Sequence, residues 1–321
     1  MSDKVDQVVI DEFRRDSFLL DNLTFDDAVA PGTGGSTLTY GYMQLQTPAT
    51  ASRRTLNTEY TSQEAKRVKK TADLDIFGGS FEIDRVIQNT SGVINEVEFQ
   101  LKEKIKAASN CFHYAVINGN SASSTPSGYI KTNFDGVRKL VSGTSTEVVL
   151  GTALDLTTAA SAKANADAAL MAIYDWLSAF AEKPDMLLMN GKMLSKLKYI
   201  ARTAGYFSQS EDAFGRTVDR FDGIALVDAG QYWDGSKEID VVGTDAKTGA
   251  SSIVGLKLGL DGFHGISPME TSAIVKTYLP DFNTPGAVKV GEAELVAGVV
   301  LKNSKKAGVL SNILVAPASG Q

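Results

Sequence analysis

The chain has 321 residues, of which 43% are hydrophobic and 22% charged, and a formal net charge of −6 at pH 7. This is the composition of an ordinary globular protein, long enough for two packed lobes or for one domain with extended excursions. It excludes a membrane helix, which needs roughly 18 apolar residues in a row, a disulfide framework, since Cys111 stands alone, a His-rich metal centre, since His113 and His264 are the only histidines, and a dedicated nucleic-acid binder, which would be basic.

Charge is unevenly spread. Residues 1–30 hold eight acids and three bases, whereas residues 52–70 hold six bases and two acids. Two solvated surfaces would explain this. The sharper reading is that the acidic arm, with Asp11, Glu12, Arg14 and Arg15, and a basic segment, with Arg53, Arg54, Lys66, Arg67, Lys69 and Lys70, face each other across a subunit boundary. Charge complementarity of that kind steers docking and fixes register. Contact of the basic segment with phosphate is a weaker alternative in an acidic chain.

In chain order, residues 8–20 form a weakly amphipathic piece, and Pro31-Gly32-Thr33-Gly34-Gly35 then make a turn or hinge. An arm this acidic is expected to bury little surface on its own chain. Alternation over residues 37–45 predicts a strand, with Leu38, Tyr40 and Tyr42 on one face. A second strand is predicted over 71–86, its parity flipping at Phe77-Gly78-Gly79 as a β-bulge would require. The polar, basic stretch between these strands describes a projecting hairpin. Residues 91–117 carry the clearest helix, with Val97, Leu101, Ile105, Ala108 and Phe112 on one stripe and Asn118-Gly119 as its stop. A further helix is predicted over 161–180, a buried strand at 186–189 and a third helix at 192–202. Short strands follow at 224–227, 239–242, 253–260, 273–278, 288–301 and 309–315. The class is α+β.

Enzyme motifs fail one by one. Gly191-Lys192 is not preceded by a P-loop, and Gly34-Gly35-Ser36-Thr37-Leu38 lacks the last glycine of a nucleophile elbow. Cys111 and His113 stand two apart on a helix and point away from each other. His264, in Asp261-Gly262-Phe263-His264-Gly265, reads as a turn or interface residue. Asp73, Asp75, Glu82 and Asp84 could form a carboxylate row holding a metal, although a solvated strand face explains them as well. No catalytic residue, cofactor or metal site is assigned.

The order of parts resembles the major capsid proteins of tailed bacteriophages, which have the Hong Kong 97-type fold. The runs that carry the resemblance are Phe77-Gly78-Gly79-Ser80-Phe81-Glu82-Ile83-Asp84-Arg85 entering the long helix, Asn118-Gly119-Asn120 leaving it, Asn133-Phe134-Asp135-Gly136-Val137, Asn190-Gly191-Lys192, and Phe221-Asp222-Gly223-Ile224-Ala225-Leu226-Val227. The resemblance implies an N-arm (1–36), an E-loop (37–86), a P domain with its spine helix (87–144), an A domain (145–280) and C-terminal strands returning to the P domain (281–321). It further implies pentamers and hexamers of an icosahedral shell around packaged double-stranded DNA, assembled in the host cytoplasm without a membrane. Portal and decoration proteins would be partners. With Met1 directly before the arm, a separate scaffolding protein, or none, is expected. Lys66, Lys69 and Lys70 lie where some family members crosslink covalently. Gly34, Gly35, Gly78 and Gly79 would be hinge or bulge positions. An encapsulin-type nanocompartment of the same fold is the main alternative. A metal-dependent α+β enzyme and a tail-tube subunit are more distant ones.

Overall fold

The computed structural model describes residues 18–29, 35–47, 49–90, 96–124, 126, 128–205, 207–211, 217–268 and 275–318. A short helix, α1 (Phe18–Asn22), and strand β1 (Phe25–Ala28) lead in. Leu19, Leu20 and Leu23 are buried in the main hydrophobic cluster, and β1 runs parallel to β15 (Phe263–Pro268) with Phe25 opposite Gly265. This corrects the expectation that the arm buries little on its own chain. Three leucines within five residues give its second half an apolar face that the overall acidity hides. Asp11, Glu12, Arg14, Arg15 and Gly34 lie outside the described residues. After β1, Val29 is bridged antiparallel to Ser36, the residue that follows Gly35.

Strands β2 (Thr39–Thr47) and β3 (Lys66–Asp73) pair antiparallel as a two-stranded hairpin, Thr39 opposite Asp73 at its root. Strand β4 (Asp75–Asp84) follows and pairs with β17 (Val288–Leu301) from Asp84–Val288 to Asp75–Ala297 with no shift of register. The predicted bulge at Gly78 and Gly79 is therefore absent. Phe77, Phe81 and Ile83 are buried while Ile76 is 63% exposed, so the parity changes at Leu74, where the chain passes from hairpin to sheet. Gly78 serves close packing instead: a Cβ there would collide with the Ala293 carbonyl oxygen.

Helix α2 (Arg85–Thr90) precedes the spine, α3 (Glu96–Asn118), whose 23 residues span about 35 Å. Its stripe of Leu101, Ile105, Ala108 and Phe112 is buried, and Glu98 and Lys102 pair at 3.1 Å on its wetter side. The Phe112 ring meets Phe77 at 5.4 Å, Phe25 at 6.4 Å and Phe134 at 6.4 Å, which ties spine, β4, β1 and the loop after the spine into one aromatic cluster. Asn118 ends the helix: its Nδ2 donates to the Val241 carbonyl at 2.7 Å and its Oδ1 accepts from Arg138 at 3.0 Å.

Short strands β5 (Gly119–Asn120) and β6 (Ile130–Lys131) and helix α4 (Val137–Leu140) lead to β7 (Glu147–Asp155). The single helix predicted over 161–180 is two, α5 (Ala159–Ala164) and α6 (Ala166–Ser178). Asn165 breaks them because its side chain donates to the Asp155 carbonyl at 2.9 Å, a local bond that competes with helix continuation. Strand β8 (Met186–Met189) is buried at all four positions and feeds α7 (Gly191–Thr203) through the Asn190 N-cap. Then come β9 (Phe207–Glu211), β10 (Thr217–Phe221), β11 (Ile224–Asp228), β12 (Gln231–Trp233), β13 (Glu238–Asp240), β14 (Ala250–Leu256), β15, β16 (Val275–Tyr278), β17 and β18 (Ala307–Leu314). Asp222 and Gly223, at φ 49° and 79°, make the tight turn between β10 and β11 that Phe221-Asp222-Gly223 predicts.

One sheet has the order β7-β18-β14-β8-β11-β10-β9; the other runs β1-β15-β17-β16, with β4 also paired to β17. The chain crosses between them three times, from β4 to β7 by way of the spine, from β14 to β15 and from β17 to β18. Strands β15 and β16, expected with residues 145–280, thus lie in the smaller sheet. Strand β18, expected to return to the P domain, sits inside the larger one. Lys306 pins the crossing, its ammonium 2.5 Å from Asp261 and 2.9 Å from Glu182. His264 is neither a turn nor an interface residue: it lies within β15 at 0% exposure. The sequence misses this strand because β1 and β17 flank it and remove any alternation.

Candidate assembly interface

The basic residues singled out in the sequence lie on the hairpin. Arg53 and Arg54 are in its loop, and Lys66, Arg67, Lys69 and Lys70 are on β3, opposite Thr47, Leu45, Met43 and Tyr42 respectively. Successive strand residues point to opposite faces, so both faces of the hairpin are basic. Every residue from 49 to 70 is exposed, Leu56 to 90%. Among the described residues, none of the six bases is in an ion pair; Arg54 lies over the Tyr60 ring at 5.4 Å and donates to the Thr58 carbonyl at 3.3 Å. A two-stranded ribbon whose outer part, beyond its root, has solvent on every side is marginal alone. Its composition, cationic with Met43, Leu56, Tyr60 and Val68 exposed, suits a surface that is acidic and partly apolar.

The smaller sheet carries such a surface. On β4 and β17 one face packs on the spine through Phe77, Phe81, Ile83, Ala293 and Leu295. The opposite face pairs Asp84 with Val288, Glu82 with Val290, Ser80 with Glu292 and Gly78 with Glu294. Strand β16 adds Lys276 beside Glu294 and Tyr278 beside Glu292. Ile76, Val288, Val290 and Tyr278 are each about half exposed or more on this face. A trough of about 260 Å³ runs along this face, lined by Ile76, Gly78, Gly79, Ser80, Glu292 and Glu294. The hairpin and the strip are both exposed, so they do not cover each other within one chain. Glu292 and Glu294 were missed in the sequence, although the alternation Lys289-Val290-Gly291-Glu292-Ala293-Glu294 marks them as one outward row.

The residues considered for chemistry are scattered among structural roles. Asp73 accepts from the Thr39 hydroxyl at 2.6 Å, Asp84 from the Val86 amide at 2.7 Å, and Asp75 from the Asn133 side chain at 3.2 Å. Among the described residues no group of three His, Cys, Asp or Glu side chains is placed to hold a metal ion, and no helix is long and apolar enough to cross a membrane. Burial pushes the His113 imidazole down to about 4 and raises the Cys111 thiol.

The family model of the SU10 major capsid protein matches residues 16–224, well over half of the chain. The chain belongs to the SU10 major capsid protein family. Solved structures similar to this capsid protein share its fold at low identity. The SrpI encapsulin of Synechococcus elongatus PCC 7942 has a TM-score of 0.63 and 13% identity, over 95% of this chain and 90% of that one. The capsid of a native GTA particle has a TM-score of 0.57 and 12% identity, over 91% and 89%. The capsid of Myoviridae phage XM1 has a TM-score of 0.56 and 14% identity, over 92% and 90%. No curated protein matches the chain. The fold is the Hong Kong 97-like capsid fold that the order of sequence runs implied, and the protein is a bacteriophage capsid shell component.

Proposed function

We propose that copies of this capsid protein close into an icosahedral shell of pentamers and hexamers around packaged double-stranded DNA, and that the basic hairpin of each copy lies on the acidic strip of a sister copy. The observation that carries the reading is the hairpin itself: residues 49–70 are all exposed and hold six bases without an ion-pair partner among the described residues. The strip supplies Glu82, Asp84, Glu292 and Glu294 beside exposed valines. Residues 1–36 would act as the N-arm, the hairpin as the E-loop, the spine with the smaller sheet as the P domain, and the larger sheet with α5 to α7 as the A domain. Scaffolding, portal and decoration proteins, and assembly in the host cytoplasm, belong to the same reading, as does a mechanical rather than catalytic role.

Deleting residues 50–70 tests it. The variant is expected to keep its circular dichroism spectrum and to lose shells in negative-stain images; shells of normal size would overturn the hairpin's role. Changing Arg53, Arg54, Lys66 and Lys69 to glutamate is expected to impair assembly more at low salt than at high, because exposed charges are screened. Adding Glu292→Lys and Glu294→Lys to that variant is expected to restore shells. No restoration would place the hairpin on another surface. The encapsulin likeness favours a second reading, a shell around protein cargo. Particles purified from the native host that contain protein and no nucleic acid would decide for it.

A further inference from the structure

The root of the hairpin is held apart from the main core. A small satellite cluster of Ala28, Tyr42, Leu74, Ile266 and Val300, with Tyr40, Ala72 and Val296 against it, joins the hairpin to β1, β15 and β17. Over this cluster lies a polar group drawn from three elements. The Tyr40 hydroxyl on β2 donates to Asp26 of β1 at 2.5 Å, and Lys302, just after β17, stands 3.6 Å from the same carboxylate and 5.5 Å from the Tyr40 ring centre. Beneath them His264 is fully buried, its ring edge-on to Tyr40 at 6.1 Å. Its Nδ1 is 3.4 Å from the Gly262 carbonyl, and its Nε2 has no hydrogen-bond partner among the described residues.

We propose that this root is an acid-released latch: a proton taken up by His264 loosens Tyr40 and lets the hairpin swing on its satellite cluster. The titratable and charged groups facing His264 from the packed elements are Asp26 of β1, Tyr40 of β2 and Lys302 after β17; the segment leading into β15 offers only the backbone of Gly259 and Gly262. An imidazolium there is a second cation beside Lys302, on a ring that is itself shut off from water although Lys302 and Asp26 reach the surface. The single carboxylate within reach, Asp26, is already engaged by Tyr40 and Lys302. Accommodating the charge requires either opening the site to water or drawing Asp26 away from Tyr40. Both routes release the first strand of the hairpin.

The direction of the linkage follows. Burial, assisted by Lys302, holds the His264 pKa below its ordinary 6.5, so the latched state loses stability as pH falls below 6.5 and the loss levels off below the latched-state value. For Asp26 burial acts against the charge, but Tyr40 and Lys302 outweigh it and keep the carboxyl below its ordinary 3.8, so a further loss sets in only below that value. One proton linked to opening shifts the open-to-latched ratio by about tenfold per pH unit within the window.

The test is a distance measurement within one chain. Dyes at Leu56→Cys on the hairpin and Met171→Cys on α6, in a Cys111→Ala background, report the hairpin angle when labelled protein is diluted into excess unlabelled protein. Between pH 7.5 and 5.0 the transfer efficiency is expected to change with a midpoint below 6.5, and His264→Gln is expected to abolish the change. A flat profile in the parent, or a transition in His264→Gln like that of the parent, overturns the latch. Should His264→Gln fail to fold, Lys302→Met serves: removing the like charge is expected to move the midpoint upward, and an unmoved midpoint overturns the proposal. Because the readout is internal to the chain, its failure leaves the shell reading intact.

Discussion

Substituting alanine for Gly255 probes how the larger sheet is packed. Gly255 on β14 pairs with Gly308 on β18 and Leu187 on β8, in the middle of the sheet. A Cβ at this position would stand 2.9 Å from Cη2 of Trp176, 3.1 Å from Cζ of Phe180 and 3.4 Å from Cδ2 of Leu187. Trp176 cannot simply swing aside, because it is 1% exposed and its Nε1 donates to the Thr146 carbonyl at 3.0 Å, with Phe180 edge-on at 5.2 Å. Overpacking of a filled core costs about 1–3 kcal/mol. Stiffening the unfolded chain by replacing glycine offsets about 0.4–1 kcal/mol of that. Gly255→Ala is therefore expected to lose about 1–2 kcal/mol net. In a Trp176→Phe background the nearest atom is gone, and the same substitution is expected to cost less by at least about 1 kcal/mol, within the range of coupling found for touching residues. Denaturant unfolding of the four proteins at one protein concentration measures this, since shell contacts add concentration-dependent stability. Equal costs in the two backgrounds would refute the steric account, as would a stabilising Gly255→Ala.

Two further substitutions test the junctions of the fold. Phe112→Ala removes the ring shared by the spine, β4, β1 and the Phe134 loop, and is expected to cost about 3–5 kcal/mol by denaturant midpoint, whereas Phe112→Leu retains most of the volume and is expected to cost less than half of that. Asn190 accepts from the Met193 amide, and its two amide hydrogens are shared among the Val242 carbonyl, the Thr244 hydroxyl and the Ser251 hydroxyl while it is 1% exposed. Asn190→Asp keeps the helix cap but loses the donors and buries a charge, so it is expected to cost about 2–4 kcal/mol. Wild-type stability in that variant would mean that the cap alone matters.

What the sequence discloses depends on whether an element's partners are written into its own pattern. The spine is legible because its stripe faces one core, and β17 because it alternates over much of its length. Strand β8 is legible as a short apolar run between breakers. Strand β15 is not, since its burial comes from neighbours that no local window contains, and β7, β9, β10 and β12 are not, since they are half-exposed or exposed over most of their length and carry no inward row of apolar residues. The split at Asn165 hinges on a bond to Asp155, and the false bulge on reading Ile76 as an inward residue. Of the candidate interface, the basic ribbon is visible in composition alone. The acidic strip is not, because it exists only once residues 76–84 and 288–294 are brought into register.

The place of β18 has a consequence for synthesis. It is made after both β7 and β14, yet they flank it, parallel on one side and antiparallel on the other. A growing chain cannot complete its larger sheet until residues 307–314 have been made, so β7 and β14 wait for a partner from downstream. A break in the chain before Ala307 therefore removes an interior strand and leaves two unpaired edges.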